Sequence, residues 1–316
     1  MRLAVGYLAT PGGADAVALG VRLARSLAAE LDICIVLPPD RGVPAMVTTG
    51  GYEELLAQQA HEWLADALAT VPDDVVAHAH VSFSDSPSDG LLSEVRRLGA
   101  QAVIVGGAGG GLVGSFTLGS VVNDLLHSSH VPVAVAPRGT RLSAATRVRE
   151  VTCAIGERAG AAVLLEVAVR ACERADVPLR LVSLVALDPM LGSLRGDAEA
   201  SRERALEHAH RTLNEAKESL PEGFSVTATV ADGSSVEDAV SRLPWHDGDV
   251  IMVGSSRLAA PRRLFLGSTA AKMLRVLEER EIHPIGANEP RILDLRVLAS
   301  IKSDPDRAVA DGRLRE

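Results

Sequence analysis

A shift of 148 residues lays this chain on itself. Gly106 falls on Gly254 and Gly119 on Gly267 at that single offset. The same shift places Val169-Arg170 on Val21-Arg22, "RLVSLV" on "DICIVL", and "GFSVTATVA" on "VVAHAHVSF". "VIVGG" and "TLGSVVNDLL" likewise find echoes in "IMVGS" and "FLGSTAAKML". One offset along most of the length marks a tandem duplication, so whatever the first copy folds into, the second must also form. The length of 316 residues accommodates two domains at roughly 100–200 residues each. The copies run over residues 1–138 and 149–288, with 289–316 as a C-terminal extension. Between them, "PRGTRLSAATR" lacks apolar periodicity and reads as a linker.

Within the first copy, short apolar runs alternate with helical patterns. Arg2 to Leu8 predicts a strand, and Val17, Val21, Ala24 and Leu27 mark one side of a helix over 14–30. "DICIVL" is a second strand. A turn-rich loop follows, then a helix over 52–69 and a strand over 75–83. Ser88 is a candidate N-cap for a helix to about Arg97. Residues 102–105, 120–128 and 131–136 complete the unit as strand, helix and strand. Strands separated by helices of this length pair in parallel through right-handed crossovers. The expected fold is α/β: two tandem doubly wound domains, each a five-stranded parallel sheet with helices on both faces. In the extension, "RILDLRVLASI" could add a strand, and the last residues read as a charged end.

Composition narrows the partners. Aromatic residues make up only 3% of the chain, so the cores are built from Ala, Val, Leu and Ile, as buried parallel strands require. A net charge of −9 argues against nucleic acid, whose phosphates are held by basic faces. No apolar run approaches the ~20 residues that span a bilayer, so no membrane partner is expected. The start, "MRLAVGYLATPGG", reads as a first strand rather than a signal peptide. Cys34, Cys153 and Cys172 lack CxxC spacing and are expected to be reduced, buried thiols in a cytoplasmic protein.

The chemistry concentrates where the fourth strand of the first copy breaks into glycines, in "VIVGGAGGGLVGSFTLGSVVNDLL". In open α/β sheets, ligands lie beyond the carboxyl ends of strands. A helix N-terminus there offers unpaired N–H groups and partial positive charge to a phosphate. Glycine lets the main chain approach closely, and the Ser120 hydroxyl can donate as well. Two familiar motifs fit poorly. "GSFTLGS" lacks the lysine of a Walker A loop, and the GxGxxG formed by Gly109, Gly111 and Gly114 follows the fourth strand instead of the first.

A third spacing fits. Gly106-x2-Gly109-x9-Gly119-Ser120, followed by "VVNDLLHSSHVPVAVAP", resembles the nucleotide-binding signature of the universal stress protein family. The resemblance spans residues 2–136 and 151–287. It implies the adenine nucleotide alpha hydrolase-like arrangement, with ATP at the carboxyl edge of the sheet; Mg²⁺ stays open as a companion of the ATP. It assigns the ribose-phosphate loop to Gly106 and Gly109 and the phosphates to Gly119 and Ser120, and Val121 next to them is a further candidate binding residue. The adenine lies along the main chain near Val36 and Leu37. Family members that bind ATP usually carry an Asp after the first strand, whereas Thr10 stands closest to that position here and no acid precedes Asp15. The second copy keeps Gly254, Gly267 and Ser268 but has Arg257 in place of the second glycine, so its site is expected to be the weaker one.

Other polar residues have plainer explanations. His78 and His80 share a strand face, but no third metal ligand accompanies them. His127 and His130 flank the last helix of the first copy, where a histidine complements the helix dipole. His208 and His210 are two apart on a helix and do not face each other. Trp63 and Trp245 are isolated. No nucleophile–base constellation and no carboxylate pair emerges, so neither catalytic nor metal-ligating residues are assigned. The expected protein is a stress-related sensor or regulator that binds ATP or another adenine nucleotide and is not an enzyme. The two copies pack as an internal pseudo-dimer, edge to edge through their fifth strands, with a further homo-oligomer open and the protein partner unassigned. An ATP-dependent hydrolase or transferase of the same fold group, and a structural module that binds no nucleotide, remain as alternatives.

Overall fold

The computed structural model describes residues 1–39, 50–107, 119–156, 161–186, 198–254 and 272–273. Strands β1 (Arg2–Gly6), β2 (Glu30–Leu37), β3 (Ala77–Phe83), β4 (Ala102–Gly106) and β5 (Val133–Ala136) form one parallel sheet in the order β3-β2-β1-β4-β5. Between them run helices α1 (Pro11–Leu27), α2 (Gly50–Ala69), α3 (Pro87–Leu98) and α4 (Ser120–Ser128). The second copy repeats the plan with β6 (Glu150–Ala154), α5 (Ala161–Ala175), β7 (Leu179–Ala186), α6 (Ala198–Glu218), β8 (Val226–Gly233), α7 (Val236–Ser241) and β9 (Asp249–Met252). Its described strands are parallel in the order β8-β7-β6-β9. The counterpart of β5, at 281–284 by the repeat offset, lies outside the described residues.

The duplication holds at the level of single registers. Ala4 pairs with Asp32 as Thr152 pairs with Arg180, and Leu3 with Ala102 as Val151 with Val250. Strands buried on both faces read as continuous apolar runs, and β1, β4 and β6 are buried at their three central residues.

Local chemistry sets the helix ends. Thr10 caps α1 by accepting from the Gly13 N–H, with Pro11 at the first helical position. The cap of α3 is Ser86, which accepts from the Asp89 N–H, rather than Ser88. Pro87 explains the difference: it suits the first helical position, so the chain enters the helix there and the cap moves one residue before it. Ser88 is buried within the first turn, its hydroxyl 3.0 Å from that of Ser86.

Helices α1, α2, α5 and α6 contribute to one apolar core that includes residues of both repeats. Helices α1 and α5 touch, and the Arg174 guanidinium donates to the Leu27 carbonyl at 2.7 Å. The contact between repeats seen in the described residues therefore runs through their first helices. The expected pairing of fifth strands involves residues outside those described.

The segment between the repeats is fastened to α1. Asp15, 1% exposed, accepts from the N–H groups of Gly139 and Arg141 at 3.0 Å and from the Arg141 guanidinium at 2.9 Å. Arg22 donates to the Ala145 carbonyl and to Ser143, and Ser26 accepts from the Val148 N–H at 2.8 Å. Missing apolar periodicity in this stretch reflects a main chain held by side chains of another element.

Candidate functional site

Sheet order decides where a cleft can open. The chain proceeds outward from β1 to β2 and β3 on one side and from β4 to β5 on the other, so the switch point lies between β1 and β4. Connections leave in opposite directions there, and a crevice is left beyond the carboxyl ends of the strands. A cleft of about 520 Å³ occupies that position. One wall is the turn from β1 into α1, through Tyr7, Thr10, Gly12 and Gly13. The opposite wall is Gly106 and Gly107 with Gly119 to Val122, and Cys34, Val36 and Leu91 form its apolar floor.

Two helix N-termini converge on this space. At α4 the capping position is Gly119, with φ +66° and ψ 148°, a conformation that side chains strongly disfavour. Gly119 has no side chain to satisfy the first N–H groups of the helix, which begins at Ser120. The exposed Ser120 adds a hydroxyl beside them. Across the cleft, α1 starts at Pro11, whose ring carries no N–H, and Thr10 takes up the N–H of Gly13.

Gly106 has a role that the spacing did not reveal. A Cβ added there would lie 2.0 Å from the Gly12 carbonyl oxygen, so the glycine lets the start of α1 rest against the end of β4. It shapes the cleft by bringing its walls together. Gly12 and Gly13 went unassigned at the sequence level, although "TPGG" after the first strand is a turn signal in the position where open α/β sheets bind ligands.

Val36 and Leu37 separate. Val36 lines the cleft, two residues beyond the last pair that β2 makes with β1, Gly6 with Cys34. Strand alternation turns the Val36 main chain toward the side that β1 has left. Leu37 is buried away from the cleft lining, and its carbonyl accepts from the Ser84 N–H at 2.9 Å. Gly109 lies outside the described residues. In the second repeat Gly254 follows β9, whereas Arg257, Gly267 and Ser268 also lie outside them.

The described lining carries no carboxylate and no cationic side chain. Asp15 does not supply the missing acid, because it is committed to Gly139 and Arg141. Burial pushes the Cys34 thiol up to about 12, which makes it an inert wall rather than a nucleophile. No group of three or more His, Cys, Asp or Glu side chains among the described residues could hold a metal. His80 is half-buried, with Nε2 2.7 Å from Asp32 Oδ1, so its ring is committed to that carboxylate.

The architecture defines a tandem doubly wound α/β protein with a glycine-walled cleft at the switch point of its first sheet. The family model described as the universal stress protein family matches residues 1–137 and again 147–278, and the chain belongs to that family. A universal stress protein of Mycobacterium tuberculosis is 26% identical over 283 residues, covering 87% of this chain and 96% of its own length. Among solved structures, a universal stress protein from Archaeoglobus fulgidus shares the fold with a TM-score of 0.61 and 14% identity, covering 95% of this chain and 98% of its own. A second, from Pseudomonas aeruginosa and titled a putative member, has a TM-score of 0.54 and 14% identity over 98% and 95% of the two chains.

A different likeness occupies the C-terminal part. Residues 266–316 match the model described as the Sigma-54 interaction domain. The response regulator protein FleR of Pseudomonas aeruginosa is 54% identical over 46 residues, which is 15% of this chain and 10% of that regulator. Composition and charge alone did not disclose this likeness over residues 266–316.

Proposed function

We propose that the cleft of the first repeat binds an adenine nucleotide, ATP foremost, and that the protein acts as a stress-related sensor or regulator without dedicated catalysis. One observation carries the proposal: two helix N-termini and a glycine-walled main chain meet at the sheet switch point, with Gly106, Gly119 and Ser120 on one wall and Val36 at the floor. The nucleotide is gripped by main-chain dipoles rather than by charged side chains. Mg²⁺, when present, travels with the phosphates, since the described lining offers it no carboxylate.

Calorimetric titration tests this reading. ATP should bind with a stoichiometry near one per chain, and binding should persist in excess chelator. Gly109→Val and Ser120→Ala should weaken it while the fold is retained, and Ser268→Ala should leave it unchanged. A stoichiometry of two with similar affinities would show that the arginine-bearing loop of the second repeat also works. Steady phosphate release, abolished in Gly109→Val, would favour the hydrolase alternative, and absence of any binding at millimolar ATP the structural module.

The match to the Sigma-54 interaction domain supports a second element of function: a contact with σ54 made within residues 266–316, the extension included. Because the likeness to FleR spans only 10% of that regulator, it concerns a contact segment and not the regulator's full activity. The full chain should co-elute with purified σ54 in size-exclusion chromatography, and a chain ending at residue 288 should not. Identical elution of the two chains would remove this element.

A further inference from the structure

The repeat offset superimposes an ion pair whose signs are reversed. In the first repeat Arg2 on β1 donates to Asp32 on β2, with Nε at 2.7 Å from Oδ2. In the second, Glu150 stands where Arg2 stood and Arg180 where Asp32 stood, with Arg180 Nε 3.3 Å from Glu150 Oε2. The interior members are Asp32, 0% exposed, and Arg180, 5% exposed.

Each repeat has built its surroundings for its own polarity. Asp32 also accepts from His80, whose counterpart is Ala228. Arg180 donates to Thr152 Oγ1 at 2.9 Å and to the Pro244 carbonyl at 2.7 Å, and stacks 4.7 Å from the centroid of the buried Trp245 ring. Asp249 lies 3.9 Å from Arg180 Nη2, where the first repeat carries the neutral Gln101.

A tandem repeat faces a pairing ambiguity. Strands β1 and β6 have similar apolar runs, as do β2 and β7, and their registers are identical under the offset. Hydrophobic pattern therefore cannot tell β2 from β7 as the neighbour of β1, within one chain or between two. Charge can. Pairing β1 with β7 would bring Arg2 to Arg180, and pairing β6 with β2 would bring Glu150 to Asp32. Either sets a like charge against the buried Asp32 or the buried Arg180 in place of its cross-strand partner, the arrangement that buried ionic groups tolerate least.

We propose that this reversed pair is a device of repeat identity: it commits each first strand to its own second strand and prevents the repeats from exchanging strands. Misassembly of this kind is a characteristic failure of repeat proteins, and discrimination by unfavourable charge contact is a general means against it.

The test is refolding of the full chain from denaturant over a range of concentrations, read by size-exclusion chromatography and recovered nucleotide-independent ellipticity. The double variant Arg2→Glu/Asp32→Arg keeps an ion pair in the first repeat but gives both repeats one polarity. It should yield a several-fold larger fraction of dimeric or aggregated chain, rising with concentration. The quadruple variant Arg2→Glu/Asp32→Arg/Glu150→Arg/Arg180→Glu reverses both repeats and restores the difference between them, so its refolding should return toward wild type. Wild-type refolding of the double variant overturns the proposal. So does a quadruple variant that misassembles as much as the double, since the defect would then follow the local surroundings of each pair and not the contrast between repeats.

Discussion

Thr10 binds the main chain of its own helix, and this fixes what a substitution there should do. Its hydroxyl accepts from the Gly13 N–H, so Thr10→Val removes a cap and should cost about 1 kcal/mol, read as a lower denaturation midpoint, with Thr10→Ser restoring it. An unchanged midpoint would mean the hydroxyl is free for a ligand. Gly106→Ala should be worse, by about 1–3 kcal/mol or more, because the new methyl meets the Gly12 carbonyl and backbone yields less readily than a side chain. The thiols respond to pH. Burial raises Cys34 from an ordinary 9.0 to about 12, and Cys172 likewise. A raised folded-state value means the native chain keeps protons that the unfolded chain releases, so this contribution is complete below pH 9 and lost as pH climbs toward 12. The melting temperature should fall across that alkaline interval, and native thiols should resist a thiol reagent at pH 8 until denaturant is added. At this scale the sequence disclosed the site only in part. The glycine spacing pointed to the strand end where the cleft opens, but Leu37 and Val36 differ only in which way alternation turns them, and the packing role of Gly106 depends on Gly12, ninety-four positions away.

At the scale of elements, α1 organises the junction between repeats. Asp15, Arg22 and Ser26 are spaced by seven and four residues, which puts them on one face of the helix, and each holds the segment 139–148. Asp15→Ala leaves the N–H groups of Gly139 and Arg141 without their buried acceptor, while the exposed Arg141 guanidinium turns to water. We expect a loss of about 1–3 kcal/mol in chemical denaturation, the range for leaving buried donors unsatisfied. A loss below 1 kcal/mol would show the strap to be incidental. The polar stripe was present in the sequence as Asp15, Arg22 and Ser26 among Val17, Val21 and Ala24, yet nothing local says what such a stripe binds. Its partner carries no periodicity of its own, because side chains rather than a strand ladder or helix satisfy its main chain.

For the whole molecule, the strap predicts where the first repeat can be cut. A fragment of residues 1–138 buries Asp15, Arg22 and Ser26 without their partners, whereas 1–148 keeps them. The longer fragment should melt several degrees higher, since about 1 kcal/mol moves a domain of ~150 residues by 2–4 °C. Equal melting temperatures would count against the strap. Both fragments should self-associate in sedimentation at high concentration, because removing α5 uncovers apolar surface on the α1 side of the core.

Residue pattern was enough to establish the duplication, the alternation of strands and helices, the parallel sheets and the strand end at which the cleft opens. These follow from patterns that repeat within a few residues or at one constant offset, and an apolar run or a glycine cluster carries its meaning locally. Tertiary structure alone decided which glycines shape the walls, that Thr10 and Asp15 face the protein's own main chain, that the linker is fastened, and that the reversed pairs Arg2–Asp32 and Glu150–Arg180 each bury one member. Each of these is a contact between positions far apart in the chain, and its energy depends on burial, which no residue possesses until the sheet has closed over it.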